Sequence, residues 1–245
     1  MEPVRVFVGT EPKQYIPQQV LGDSIRRRVS GEVEVHFTTQ DIPRKGGTGF
    51  GFVRYLVPSL CGYEGKAIYL DADMVVLTDI RELHDSLDDS HSVAIVQEAE
   101  GYFGGKPVPK DNQTSVMVMN CAKLKSWDPK TLFDNVVPNK VEPADGQIRY
   151  RDFMKMPWFD QSQIQPLDPR WNHMNIVRPD TKLIHFTFVA TQPWKRPSHE
   201  LTKTWEKFLQ EAIAGGAVKR TDILREVLRR HIHPRYIRYA FGKSG

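Results

Sequence analysis

The segment AIYLDADMVVL, residues 67–77, constrains this chain more than any other. Two aspartates one residue apart, Asp71 and Asp73, interrupt a run that is otherwise apolar. In an extended segment successive side chains point to opposite faces, so both carboxylates share one face and Ala72 turns the other way. Like charges at that spacing repel, and among Ile68, Leu70, Met74, Val75 and Val76 they would be costly unless something neutralised them. A divalent cation is the natural partner, since hard oxygen ligands suit magnesium or manganese. Asp-x-Asp is also short and common, and the simpler alternative has one aspartate capping the helix that begins near Asp79 and the other solvated.

The flanking pattern places this segment in a layered fold. The opening VRVFVGT is an apolar run ending in Gly9 and reads as a buried strand feeding a loop. Ile16, Val20, Leu21, Ile25 and Val29 recur at helical spacing over residues 15–29, with Gly31 as the stop. VEVHF is the next strand. Residues 46–49 read as a flexible glycine loop, and residues 50–60 resume a helical face ending near Pro58 and Gly62. Strand, helix, strand, helix, strand argues for a parallel sheet covered by helices, the nucleotide-binding kind of architecture. Beyond Asp73, residues 92–97 and 115–120 read as strands, separated by a glycine- and proline-rich loop, GYFGGKPVPKDN, expected to be mobile. Prolines break residues 128–163. Residues 181–188 read as a strand, and 198–214 and 221–232 as helices. There is no internal repeat and no dividing linker, so the expected organisation is one domain over 1–218 with a helical tail, 219–245.

At 245 residues with 40% hydrophobic content the chain can bury one large α/β core. No run of eighteen apolar residues or leader-like start is present, so the expected location is the cytoplasm. Cys61 and Cys121 are too few for a disulfide framework and read as reduced core residues. The formal charge of +4 is unevenly placed: residues 219–245 carry eight Lys or Arg against Asp222 and Glu226, leaving the body of the chain slightly acidic.

Residues 48–83, TGFGFVRYLVPSLCGYEGKAIYLDADMVVLTDIREL, carry a more specific signal. They resemble the core of glycosyltransferase family 8, the retaining transferases that include glycogenin and bacterial lipooligosaccharide galactosyltransferases. That family shows Phe-x-Arg and a Pro on a helix, an apolar strand ending in Leu-Asp-Ala-Asp, and an Asp-Ile before the next helix. QTSVMVMNCAKLKSW resembles its Asn-Ala-Gly-Val strand, and DPRWN and HFTFVATQPW continue the match, so similar segments span most of residues 4–194. The resemblance implies an α/β chain with a single GT-A-type nucleotide-sugar-binding domain, its mainly parallel mixed sheet flanked by helices. It also implies transfer of a hexose from a nucleotide sugar, with UDP the expected nucleotide, to a glycan, lipid-linked glycan or small polyol.

The same resemblance assigns roles. Asp71, Asp73 and His185 would bind manganese, with magnesium as the alternative, together with the donor diphosphate. Taken alone, a histidine in Leu-Ile-His-Phe reads as a core residue; the paired acids and Pro193-Trp194 favour a ligand. Arg54, in Phe-x-Arg, would add a fixed cation where charge grows on the leaving oxygen, against the plainer reading of a helix-surface arginine. Val8, Gly9, Thr10 and Ala72 would meet the nucleotide, Tyr15 would stack on uracil, and Glu11 is a weaker candidate.

Several family positions differ here. The family lysine before Pro-Trp is Gln192, and Lys195 or Arg196 would take over its charge. The family Asp-Gln pair aligns by spacing with Asp152-Phe153, making Asp152 the catalytic candidate and Asp160, in Asp160-Gln161, the alternative. Gln113-Thr114-Ser115 replaces Asn-Ala-Gly, and Glu98 is a weaker contact for sugar hydroxyls. With no clearly placed nucleophilic carboxylate, front-face attack by the acceptor is expected.

The basic tail reads either as an amphipathic helix packed on its own domain or as a contact with an anionic membrane, where each basic residue contributes on the order of 1 kcal/mol. Nucleic acid is not an expected partner, because the body of the chain is slightly acidic. Two rival functions stay open. One is a haloacid-dehalogenase-type phosphatase with Asp71 as nucleophile, and the other a non-catalytic membrane-binding adaptor.

Overall fold

The computed structural model describes residues 2–39 and 50–242. The glycine loop expected at 46–49 and Lys243 of the tail lie outside the described residues. The strands are β1 (Val4–Gly9), β2 (Val33–Thr38), β3 (Lys66–Asp71), β4 (Met74–Val76), β5 (Val93–Val96), β6 (Tyr102–Phe103), β7 (Lys106–Pro107), β8 (Gln113–Asn120), β9 (Val136–Val137), β10 (Ile148–Arg149), β11 (Ile164–Pro166), β12 (His173–Met174) and β13 (Leu183–His185). The helices are α1 (Tyr15–Arg26), α2 (Val57–Leu60), α3 (Ile80–Asp85), α4 (Tyr150–Phe153), α5 (Thr202–Ala214), α6 (Arg220–Leu228) and α7 (Ile237–Ala240).

The main sheet runs in the order β11-β5-β8-β3-β1-β2. β1 is parallel to β2 and to β3, β11 is parallel to β5, and β8 alone runs against its neighbours. Central strands β1 and β3 are nearly continuous apolar runs because helices and loops cover both faces, whereas edge strand β2 alternates half-buried and exposed positions over most of its length. One core layer joins Val6, Val8, Ile68 and Leu70 to Leu21 and Ile25 of α1. The opposite layer packs Phe7, Tyr69, Met117 and Met119 with Tyr55 and Trp127. Burying each such side chain contributes roughly 1.5–3 kcal/mol. A smaller sheet, β12-β13-β4, leans on the end of β3.

Some elements differ from the sequence reading. Residues 50–60 form a 3-10 turn, Val53–Tyr55, and then the single turn α2 instead of one helix. Pro58 lacks an N–H and fits only a first helical turn, so a new turn starts at Val57. The loop at 101–112 contains the hairpin β6–β7. α5 begins at Thr202, since residues 198–201 turn through Thr202 N–H to His199 C=O at 3.0 Å. α6 ends at Leu228 because Arg230 adopts a left-handed φ of 59°. Cys121 is buried but Cys61 only half so, and both are free thiols. Asp79, and neither Asp71 nor Asp73, caps α3, accepting from Arg81 N–H at 2.9 Å.

The C-terminal segment packs on the body. Ile223, Val227, Tyr236 and Tyr239 join Ile16, Val20 and Trp205 in a third core. Glu206 of α5 receives Arg235 at 3.1 Å and Arg238 at 3.0 Å. Buried Glu226 receives Arg225 at 2.9 Å, Arg229 at 3.3 Å and His231 at 2.6 Å. No helix among the described residues is long and apolar enough to cross a membrane.

Candidate active site

β3 delivers Asp71 at its last residue, and a one-residue turn at Ala72 leads to Asp73 and β4. That turn is fixed from both sides. Ala72 N–H donates to Gly9 C=O at 3.1 Å, and Asp73 C=O accepts from Phe186 N–H at 2.8 Å. β13 runs antiparallel to β4 with His185 opposite Met74, which sets the imidazole beside Asp73. Asp71, Asp73 and His185 each offer a ligand atom within 4.8 Å of the others.

The hydrogen bonds around the cluster decide which atoms remain available. Arg54 Nη2 and the Tyr69 hydroxyl both donate to Asp71 Oδ1, at 2.9 and 2.7 Å, leaving Oδ2 for another partner. Gln192 Nε2 donates to Asp73 Oδ2 at 2.8 Å. Asp73 Oδ1 is buried with no hydrogen-bond partner, 3.2 Å from His185 Nε2. The other ring nitrogen of His185 meets Asn172 Oδ1 at 3.0 Å, and the Asn172 amide donates to Ser115 Oγ at 3.1 Å. With Oδ1 of Asn172 accepting from Nδ1–H, the neutral form of the ring presents its Nε2 lone pair to Asp73 Oδ1, itself an acceptor when ionised. Two buried acceptors facing each other fit a cation between them, and a carboxylate-imidazole donor set suits manganese, magnesium or zinc.

Arg54 is buried and held on two sides, with Nη1 on Thr114 Oγ1 at 2.8 Å and Nη2 on Asp71. Burial opposes its charge, but Asp71 keeps the guanidinium above its ordinary pKa. Burial pushes the Asp71 carboxyl up, Arg54 opposes this, and Asp73 adds to it. Arg54 also lies over the Tyr69 ring, 5.0 Å from its centroid. The tyrosine hydroxyl needs a glycine beside it, because a Cβ at Gly9 would stand 2.2 Å from that oxygen.

A cavity of about 380 Å³ opens over Asp71, Asp73 and His185, with Arg54 and Thr114 on one wall and Phe103, Pro109 and Val189 at its mouth. Asp71, Asp73, Arg54 and His185 therefore come together. Others do not. Asp152 lies on α4, whose Arg151 lines the cavity together with Met154 and Lys155 just beyond the helix, while Asp152 does not. Its neighbour Phe153 is core, stacked on Trp158 at 4.8 Å. Asp160 caps a 3-10 turn, accepting from Ser162 N–H at 3.0 Å. Glu98 is exposed and paired with Lys110 at 3.0 Å.

At the nucleotide end, buried Val8 and Gly9 close β1, and Thr10 donates to Gln18 at 2.6 Å. Tyr15 carries the Arg225 guanidinium 4.7 Å over its ring, so α6 already covers one of the faces that stacking would use. Lys195 is half-buried; burial lowers its amine pKa against the pull of Asp73 and Glu11, and Arg196 is exposed. Sequence reasoning missed Asn172, Tyr69 and Asp111, the last lining the cavity and paired with Lys155 at 2.5 Å. The word Trp171-Asn172 was visible, but nothing local signalled that its amide would orient a histidine thirteen residues on.

A family model described as Glycosyl transferase family 8 matches residues 39–198. Protein CDI of Arabidopsis thaliana is 30% identical over 220 residues, covering 79% of this chain and 80% of that protein. Among solved structures, the apo bifunctional glycosyltransferase WbbM is similar with a TM-score of 0.62 at 14% identity, over 93% of this chain and 51% of that one. This chain thus spans about half the length of WbbM. The galactosyltransferase LgtC, in complex with donor and acceptor sugar analogues, is similar with a TM-score of 0.59 at 12% identity, over 88% of this chain and 100% of that one. At these identities the solved structures speak for the fold, which is of the GT-A type.

Proposed function

The chain belongs to glycosyltransferase family 8, a glycosyltransferase with a GT-A-type fold, and from that premise we propose that it is a retaining, metal-dependent hexosyltransferase. The proposed donor is a UDP-sugar and the acceptor a hydroxyl of a glycan, lipid-linked glycan or small polyol. The observation that carries this reading is the buried, unpartnered Asp73 Oδ1 facing His185 Nε2 at 3.2 Å. Asp71, Asp73 and His185 would hold the ion, which we take to be manganese, and which when bound would neutralise the leaving diphosphate as a Lewis acid.

The remaining chemistry falls to the chain. Arg54, fixed by Thr114 and Asp71, keeps a positive charge in the cavity wall where negative charge grows on the leaving oxygen. Lys195 lies close enough to Asp73 to feel its charge and would contact the donor phosphates. The bond from the donor anomeric carbon to diphosphate breaks, the acceptor oxygen bonds that carbon, and the acceptor proton leaves on the diphosphate oxygen. Besides Asp71 and Asp73, the carboxylate among the described lining residues is Asp111, which is tied to Lys155. That supports front-face attack over a covalent glycosyl-enzyme, in which a free carboxylate would stand beneath the sugar. Asp152, outside the cavity, has no part in this mechanism. The phosphatase reading lacks support, since the family model that matches residues 39–198 is Glycosyl transferase family 8.

We further propose that any anionic-membrane contact of the C-terminal segment runs through exposed Leu228, Arg230 and Phe241. Arg225, Arg229, Arg235 and Arg238 are engaged by Glu226 and Glu206. The protein would then act in the cytoplasm or at its membrane face. Incubation with manganese and a panel of nucleotide sugars, following nucleoside diphosphate release, tests the central reading. Slow manganese-dependent hydrolysis of one donor, abolished in Asp73→Asn, is expected. Phosphate release from simple phosphoesters without nucleotide-sugar affinity would overturn it.

A further inference from the structure

The two cysteines take no part in the chemistry above, yet the fold brings them together from sixty positions apart in the chain. Cys61 follows the last residue of α2, its N–H donating to Val57 C=O at 3.0 Å, and Cys121 opens the 3-10 turn that ends β8. β3 pairs with β8 so that Lys66 faces Asn120, and the Cys121 N–H extends that ladder to Gly65 C=O at 2.9 Å. From Cys61 to β3 the chain turns back through Gly62, Tyr63 and Gly65, at φ of 63°, 59° and 63°. The Cys121 thiol thereby meets the Cys61 sulfur in hydrogen-bond contact.

The two sulfurs have unlike surroundings. Cys121 is fully buried, whereas Cys61 is half-buried and lines an open cleft of about 600 Å³ with Arg5, His36, Thr38 and Leu60. Arg5 lies across Gly65, where a Cβ would stand 2.6 Å from its Nη2, and donates to Lys66 C=O from Nε at 3.3 Å and from Nη2 at 3.1 Å. The hydrogen bond from Cys121 holds the Cys61 thiol below its ordinary pKa, with burial opposing and Arg5 assisting. The same bond, and then burial, push the Cys121 thiol up. A small oxidant thus reaches the sulfur that ionises more readily, while the covered partner keeps its proton. A structural zinc site needs four ligands, and among the described residues Asp71, Asp73 and His185 form the one group of three or more acids, histidines or cysteines within ligand reach of one another. The pair therefore suits electron exchange better than metal binding.

We propose that Cys61 and Cys121 are a redox-active pair that hydrogen peroxide converts to a disulfide, fastening the segment that carries Arg54 to β8. The Cys61 thiolate attacks one peroxide oxygen, the O–O bond breaks, hydroxide leaves, and Cys61 becomes a sulfenic acid. The Cys121 sulfur then attacks the Cys61 sulfur; the S–S bond forms, the S–O bond breaks, and the oxygen leaves as water with the Cys121 proton. Two thiols and one peroxide give one disulfide and two waters, the sulfurs oxidised and the peroxide reduced. Arg54 stands seven residues before Cys61, and Thr114 seven before Cys121. Arg54 Nη1 already donates to Thr114 Oγ1 at 2.8 Å. The disulfide ties the same two segments at their other ends.

The experiment treats the full reduced chain with hydrogen peroxide, follows intact mass and thiol content, and maps the linked peptides. The wild type should lose the mass of two hydrogens with Cys61 joined to Cys121, and dithiothreitol should reverse it. Cys121→Ala should gain oxygen at Cys61, and Cys61→Ala should leave Cys121 unmodified at the same peroxide concentration. The oxidised wild type should melt about 5–15 °C above the reduced form, as cross-linking a loop of this length predicts, and peroxide should not shift Cys61→Ala. If alanine at buried Cys121 prevents folding, the wild-type peptide map and melting curves decide alone. Oxygen added to wild-type Cys61 without a cross-link, a disulfide between two molecules, or both thiols surviving peroxide overturns the inference. So does a cross-linked protein that melts no higher than the reduced one. No donor sugar enters these measurements, so their outcome stands apart from the transferase reading.

Discussion

Replacing Asn172 with alanine isolates the group that aims His185. The Asn172 carboxamide is completely buried between His185 Nδ1 at 3.0 Å and Ser115 Oγ at 3.1 Å. Alanine leaves a buried ring N–H without an acceptor, at about 1–3 kcal/mol. Loss of such a support behind a metal-bound histidine weakens metal binding about 10- to 100-fold. That corresponds to about 1.4–2.7 kcal/mol, the same range reached from the hydrogen bond alone. The assay is titration of free manganese by electron paramagnetic resonance with saturating UDP, beside a melting curve in chelator. The metal Kd should rise by that factor, and Asn172→Asp should recover part of it, because a carboxylate still accepts from Nδ1. A metal Kd within twofold of wild type in Asn172→Ala, with the fold intact, would refute the claim that His185 is oriented through this amide.

Three further outcomes follow from the same geometry. Gly9→Ala should displace the Tyr69 hydroxyl from Asp71, since the new Cβ would lie 2.2 Å from it, and should destabilise by about 1–3 kcal/mol; an unchanged Tm would contradict this. Arg54→Lys keeps the charge but cannot hold Thr114 and Asp71 together, so kcat/KM for donor turnover should fall about 10- to 100-fold for one lost charge-assisted hydrogen bond. Burial pushes the Glu226 carboxyl up, but Arg225 and His231 outweigh it and hold it below the ordinary 4.5. A depressed folded pKa gives stability that is complete above 4.5 and lost as pH falls through the folded value. Glu226→Gln should therefore cost about 2 kcal/mol at pH 7, shrinking toward zero in acid. Parallel denaturation of both proteins at pH 7 and pH 3 checks it, and an undiminished difference at pH 3 counts against the assignment.

The parts of the site legible in the sequence were those written in local patterns. An apolar strand ending in Asp71, a two-residue spacing to Asp73 and an apolar run closing on His185 are periodic signals, and the structure builds β3, β4 and β13 from them. Contacts between distant segments left no such trace. Asp152 was placed by counting back from Trp171, but α4 is a single turn that presents Arg151 to the cavity, with Met154 following at its end, and leaves Asp152 outside the lining. Tyr15 reads as a free ring until α6 brings Arg225 over it, more than two hundred residues later in the chain. Residues 50–60 have helical spacing, yet Pro58 confines the α-helix to one turn. The hairpin at Tyr102 hid in a glycine-rich loop because its anchor, Asn175, lies far along the sequence.

The pairing of β4 with β13 joins halves of the proposed ligand set that lie more than a hundred residues apart in the chain. During synthesis the two acids emerge early and the imidazole late, so a nascent chain that stops short of β13 carries Asp71 and Asp73 but no third ligand. Capture of the proposed ion would then mark the completion of folding. An ion held only by the finished state would add about 2.7 kcal/mol when its free concentration is a hundred times its Kd. A chelator should accordingly speed degradation of the mature protein and leave the turnover of shorter fragments unaltered.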